Sequence, residues 1–227
     1  MDFMIMDGII ILTVIITVGS QLYINSTYSK TLKIKNNKNI TGAEVARKIL
    51  DSNGLSNVKI LVTKQTLADH YDPRNKTITL SSDVCNGISI ASASVAAHEC
   101  GHAIQDKNGY FFLRFRNGIV PLVNFASSAG YFAILFGVLF GALKLVKIGI
   151  VMEAIILLFQ LVTLPVEFNA SKRALNNLTN LDILDNNEIP KARKMLVAAA
   201  LTYVAGAVTA LLQLLRLILV FGNNRDD

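Results

Sequence analysis

The sequence has no tryptophan, no internal repeat and no low-complexity tract, and its two cysteines, Cys85 and Cys100, form neither a Cys-x-x-Cys pair nor a disulfide-like framework. That excludes a disulfide-stapled secreted domain and fits a reducing compartment. The formal charge is +6, but no basic, aromatic-laced stretch accompanies it. The lysines and arginines flank apolar runs, so a nucleic-acid partner is not expected and the excess is topology information. An even spread of apolar residues is also missing. They make up 52% of the chain and crowd into three regions, a distribution foreign to a soluble domain.

What is present is a set of long apolar runs. Residues 3–24 are apolar enough to cross a bilayer and lack both a basic start and an Ala-x-Ala-like end, so they are expected to be an anchor and not a cleaved signal. Residues 119–143 and 148–164, separated by Lys144 and Lys147, predict a transmembrane hairpin. Residues 196–221 predict a fourth span despite Gln213 and Arg216, the latter placed to snorkel toward the far interface.

Basic residues near the span ends set the orientation. Lys30, Lys33, Lys35, Lys38, Arg114 and Arg116 lie between the first and second spans, and Lys172, Arg173, Lys191, Arg193 and Lys194 between the third and fourth. Lys144, Lys147 and Arg225 stand against them, with Asp2 and Asp7 but no base at the N-terminus. The positive-inside rule places both larger loops in the cytoplasm, making the chain a multi-pass plasma-membrane protein.

Residues 25–117 have globular patterning. Thr41-Gly42-Ala43-Glu44 is a capping box, followed by an apolar stripe of Ala43, Ala46, Ile49 and Leu50, with Gly54 as a stop. Residues 58–62 and 77–80 are β-branched runs around the turn chemistry of Asp72-Pro73-Arg74-Asn75, and residues 90–105 form a further helix ending before Asn108-Gly109. The expected architecture is mainly α: a multi-span helical membrane protein with a small α+β extramembrane domain. Its divisions are an anchor (1–24), that cytoplasmic domain (25–117), a hairpin (118–165), a cytoplasmic segment (166–195) and a last span with its tail (196–227).

The chemistry centres on His98-Glu99-Cys100-Gly101-His102. On a helix, His98 and His102 project within roughly 40° of each other, one turn apart, so two imidazoles can meet one Zn2+. Glu99 lies beside them, placed to take a proton from water that the metal acidifies, while Cys100 points to the far side. Two of the chain's three histidines fall in this motif, and small residues surround it. A hydrolytic zinc site needs a third protein ligand. Asn108 occupies the metzincin position for a third His, and Asp106 on the same helix would have to curl back. Glu167, where the third span should emerge, is the best candidate. The two crossings of the hairpin return it to the side of His98. Glu153 and Gln160, within the third span, are weaker candidates for polar roles.

Four segments, HYDPR at 70–74, VAAHECGHAIQ at 95–105, QLVTLPVEFNAS at 160–171 and AALTY at 199–203, closely resemble the YugP-like putative neutral zinc metallopeptidases of bacterial membranes. The resemblance runs over nearly the whole chain, and the arrangement is more distantly similar to the HtpX-type proteases, gluzincins with a Glu as third ligand. It implies a zinc-dependent membrane peptidase whose small α+β domain is zincin-like and carries the His-Glu-x-x-His helix. This chain departs from the family at Asn169, where Asp is usual, at Cys100 in place of Val and at Cys85 in place of Tyr. Ser171 stands where gluzincins place an orienting Asp, and the loss of outer carboxylates predicts weaker metal affinity or rate.

The expected function is therefore peptide-bond hydrolysis with zinc on His98, His102 and Glu167 and with Glu99 as general base, acting on a protein or peptide, including membrane proteins. Residues 77–80 are a candidate strand for pairing with an extended substrate, and His70, Tyr71 and Tyr203 are candidate oxyanion or specificity contacts. The rival class is a non-catalytic membrane scaffold or partner-binding protein with a vestigial metal site.

Overall fold

The computed structural model describes residues 3–222, so Asp2 and Arg225, which entered the charge count, lie outside the described residues. The chain is mainly helical and divides into two compact units.

One unit comprises residues 1–21, 114–164 and 202–227. It takes the N-terminal part of α1 (Phe3–Leu32), most of α5 (Phe111–Leu139), the first part of α6 (Leu143–Asn180) and the C-terminal part of α7 (Ile189–Phe221). These four helices are long and apolar enough to cross a membrane. The predicted hairpin is α5 and α6, joined at Gly141, whose φ of +65° suits a residue without a Cβ. The two helices approach closely through small residues. A Cβ at Gly149 would lie 2.4 Å from the Ile134 side chain and 3.2 Å from the Gly130 carbonyl oxygen. Large apolar side chains such as Ile15, Phe125, Tyr131 and Leu139 face outward, as lipid contact requires.

The other unit comprises residues 22–113 and 165–201. Its α2 (Gly42–Ser52) begins at the anticipated capping box, with Thr41 Oγ1 accepting from the Glu44 N–H and the Glu44 carboxylate accepting from the Thr41 N–H at 2.8 Å. It ends before Gly54, at φ +65°. Strands β1 (Lys59–Thr63), β2 (His70–Asp72) and β3 (Thr77–Ser81) form a sheet in the order β1-β3-β2, with β3 parallel to β1 and antiparallel to β2. The Asp72 carboxylate accepts from the Arg74 N–H at 2.8 Å and closes the turn between β2 and β3.

After a short α3 (Ser82–Cys85), α4 (Ile90–Lys107) runs through the middle of the unit. The core joins Ile49 and Leu50 of α2, Ile78 and Leu80 of β3, Ala96, Cys100 and Ala103 of α4, Leu178 of α6 and Leu196 of α7.

Two expectations change. The hairpin's second helix does not stop near residue 164. It continues as one helix to Asn180 with Pro165 inside it, so Glu167 sits in a helix interior. Residues 77–80 are also unavailable to a substrate backbone, because β3 is the central strand and both its edges are paired.

Candidate metal centre

Helix α4 starts at Ser89, whose Oγ accepts from the Ser92 N–H at 3.0 Å. It is buried on nearly every face among small side chains, which lets neighbouring backbones come close. Gly101 is the closest of these approaches. A Cβ there would lie 2.5 Å from the Ala170 carbonyl oxygen of α6. Glu167 is one turn before Ala170 on the same helix, so this contact delivers its carboxylate to the two imidazoles one turn apart on α4.

The two rings stand edge to face with centroids 4.8 Å apart. His98 Nε2 lies 3.2 Å, and His102 Nε2 3.7 Å, from the same oxygen, Glu167 Oε2. The three ligand atoms all lie within 4.8 Å of one another. Donors about 2.05 Å from a tetrahedral zinc are about 3.3 Å apart, close to the 3.2 and 3.7 Å that separate Glu167 Oε2 from the two ring nitrogens. The structure thus brings together the three predicted ligands from two helices.

The outer nitrogens of the rings decide what the inner ones offer. Gln105, fully buried, donates its amide N–H groups to the Val166 carbonyl at 2.8 Å and to Asn169 Oδ1 at 3.0 Å. Its Oε1 is thereby turned to His102 Nδ1, 3.0 Å away, which must carry the proton. The lone pair of His102 Nε2 then faces the Glu167 carboxylate. His98 Nδ1 lies 3.3 Å from Ser171 Oγ, a hydroxyl that can donate or accept there. Electron-rich atoms converging in a buried place call for a cation between them, and the N, N, O set suits Zn2+.

The two departures from the usual pattern acquire roles here. Ser171 supplies the oxygen beside His98, and Asn169 Oδ1 accepts from both Gln105 and, at 2.7 Å, Arg173 Nε. Both tasks need a polar oxygen and no charge. Gln105 escaped the sequence reading, although its position three residues after His102, on the same helix face, was a usable signal.

Glu99 is 7% exposed and makes no hydrogen bond or ion pair among the described residues. Burial pushes its carboxyl up to about 7. The nearby charges of Glu167 and Asp69 add to the rise, while His98 and His70 oppose it. A buried carboxyl without partners beside a ligand set is a signature of function, since it costs stability.

Other candidates are engaged elsewhere. Cys100 Sγ points to the Ala46 carbonyl at 3.6 Å, and burial raises its thiol pKa. Asp106 accepts from the Tyr71 hydroxyl at 2.7 Å and pairs with Lys76, so neither it nor Tyr71 is free for the site. Burial and that bond also push the Tyr71 phenol up. His70 is exposed, with Nδ1 2.8 Å from the Ala68 carbonyl oxygen. Glu153, Gln160 and Tyr203 belong to the other unit.

A family model described as putative neutral zinc metallopeptidase matches residues 6–222. A protein of Bacillus subtilis (strain 168) named putative membrane protease YugP is 45% identical over 208 residues, covering 92% of each chain. No solved structure matches the chain. The resemblance carried by the four sequence segments is thus borne out over almost the full length, and the chain belongs to the putative neutral zinc metallopeptidase family.

Proposed function

We propose that this chain is a zinc-dependent membrane peptidase whose centre faces the cytoplasm. The observation that carries the reading is the convergence of His98 Nε2, His102 Nε2 and Glu167 Oε2 beside the buried, unpartnered carboxyl of Glu99. Those three atoms would hold the zinc, with Gln105 fixing the tautomer of His102 and Ser171 orienting the ring of His98. When bound, the metal would polarise a scissile carbonyl and acidify water at the site.

Glu99 takes the proton of the attacking water and delivers it to the leaving amine. A pKa near 7 suits a group that must do both at neutral pH. The substrate is a protein or peptide, membrane proteins included. Its extended backbone is assigned to the outer edge of β2 instead of the interior β3, because β2 is an edge strand tied to α4 by the hydrogen bond from the Tyr71 hydroxyl to Asp106. The cytoplasmic orientation rests on the basic loops between the apolar runs. A scaffold with a vestigial site accounts less well for Glu99, which a non-catalytic fold would gain by replacing.

The test uses the purified full-length protein. Glu99→Gln is expected to keep its zinc and lose about 10²–10⁴-fold in turnover of a protein substrate. Unchanged turnover with zinc retained would remove the catalytic assignment. His102→Ala and Glu167→Ala are expected to lose bound zinc, and full stoichiometry in either would refute the ligand set.

A further inference from the structure

Two adjoining cavities lie between the polar ends of α1 and α7, away from the ligand set. One of about 410 Å³ is bounded by Tyr23 on α1 and by Pro190, Arg193 and Lys194 on α7. The other, of about 320 Å³, is bounded by Tyr23 and Lys30 on α1 and by Lys191 and Lys194 on α7. Tyr23 and Lys194 border both. Their sizes are those of small-ligand sites.

Four cations and no carboxylate line the pair of cavities, and none of the four makes an ion pair among the described residues. The nearest acid before α7, Glu188, is buried and accepts from the backbone N–H groups of Asn37 and Asp185 at 2.8 Å each, so it does not neutralise them. The first turn of α7 carries no acid either, and the positive end of its helix dipole adds to an anion-attracting field.

The depth of the cavities follows from the two helices. The apolar run of α1 ends at residue 24, just after Tyr23 and before Lys30, and that of α7 begins at residue 196, just after Lys191, Arg193 and Lys194. The walls therefore straddle the change from polar to apolar chain at which phospholipid headgroups lie, with a tyrosine at the level favoured by interfacial aromatics. A basic cavity between membrane helices at that depth has the chemistry to take a phosphodiester.

We propose that these cavities bind the headgroup of an anionic phospholipid, its phosphate held by Lys30, Lys191 and Lys194. The bound lipid ties the two helix ends together within the unit that carries His98, His102 and Glu167.

The test places the full-length chain in phosphatidylcholine nanodiscs and titrates phosphatidylglycerol, reading lipid retention by native mass spectrometry. Wild type is expected to prefer phosphatidylglycerol. The triple variant K30Q/K191Q/K194Q is expected to lose that preference by about a hundredfold, at about fivefold per cation. A variant with equal charge removed elsewhere, K48Q/K59Q/K64Q, is expected to keep it. Equal affinity in wild type and the pocket variant, or equal loss in the charge control, overturns the site. If inorganic phosphate or glycerol phosphate at millimolar concentration displaces the lipid, the site is one for a free phosphate and the lipid assignment falls. If the triple variant does not fold by circular dichroism, K194Q alone, at the border of both cavities, is expected to weaken binding about fivefold, and no change overturns the proposal.

Discussion

Adding one methyl group at Gly101 should dismantle the metal centre without touching a ligand. The Cβ of Gly101→Ala would sit 2.5 Å from the Ala170 carbonyl oxygen and 3.1 Å from that residue's carbonyl carbon and Cα. These are backbone atoms of a long helix, so no side chain can swing away. A relaxed carbon–oxygen contact is about 3.3 Å, so α4 and α6 must separate locally by about 0.8 Å, at an overpacking cost of about 1–3 kcal/mol. Glu167 is one turn from the clash, and its oxygen now stands 3.2 and 3.7 Å from the two ring nitrogens. The same displacement stretches the two gaps to about 4.0 and 4.5 Å, away from the roughly 3.3 Å separation of donors on one tetrahedral zinc.

We expect zinc affinity to fall about 10–100-fold and turnover about a hundredfold, the usual loss for a 1 Å misplacement. Affinity is measured by chelator competition in detergent, with melting of the metal-free protein to separate global destabilisation from loss of the site. Gly118→Ala, where a Cβ meets nothing within 4 Å, is the matched control and should be silent. Zinc affinity of Gly101→Ala within twofold of wild type would refute the argument that helix proximity sets the ligand geometry.

Three further outcomes are expected. Gln105→Ala frees His102 Nδ1 and should weaken zinc about 10–100-fold by the same competition assay. In the metal-free protein, the Glu99 carboxyl ionises near 7 when folded but at an ordinary 4.5 when unfolded. The folded state therefore binds more protons across that window, and stability falls as pH rises through it by about 3 kcal/mol, levelling off above 7. Melting Glu99→Gln beside wild type at pH 4.5 and 7.5 should show the variant losing that much less, and parallel curves would refute the burial argument. Ser171→Asp should bind zinc more tightly and turn over more slowly, read from chelator competition and from kcat.

Legibility in the sequence tracked how local the determinants were. Helices α2 and α4 follow from their capping residues and apolar spacing, which act within a few positions, and both begin at the expected residues. Strand β2 is three residues long and overlaps the Asp72-Pro73 turn, so turn chemistry hid a strand that exists only by pairing with β3. The apolar run expected to form the third span ends at residue 164, yet α6 runs on through Pro165 to Asn180, and the length of that helix is what gives Glu167 a fixed position. That Glu167 reaches His98 was available only through counting membrane crossings. The contact that brings it there, Gly101 against Ala170, joins residues far apart in sequence and carries no periodic signal.

The neutral groups around the imidazoles explain why Ser171→Asp should pull affinity and rate in opposite directions. A carboxylate behind a ring N–H raises the basicity of the opposite nitrogen more than a hydroxyl or amide oxygen does. With Ser171 and Gln105 in those places, His98 and His102 give up less electron density, so the cation is held less tightly but its charge is less quenched toward a substrate carbonyl. Asn169 accepts from Gln105 and Arg173 with its amide oxygen and adds no negative charge at all. An Asp at residue 171, four positions after Glu167, restores the electron push at His98. If kcat rose together with affinity, the outer groups would be acting only by holding the rings in place, and their charge would be irrelevant to the chemistry.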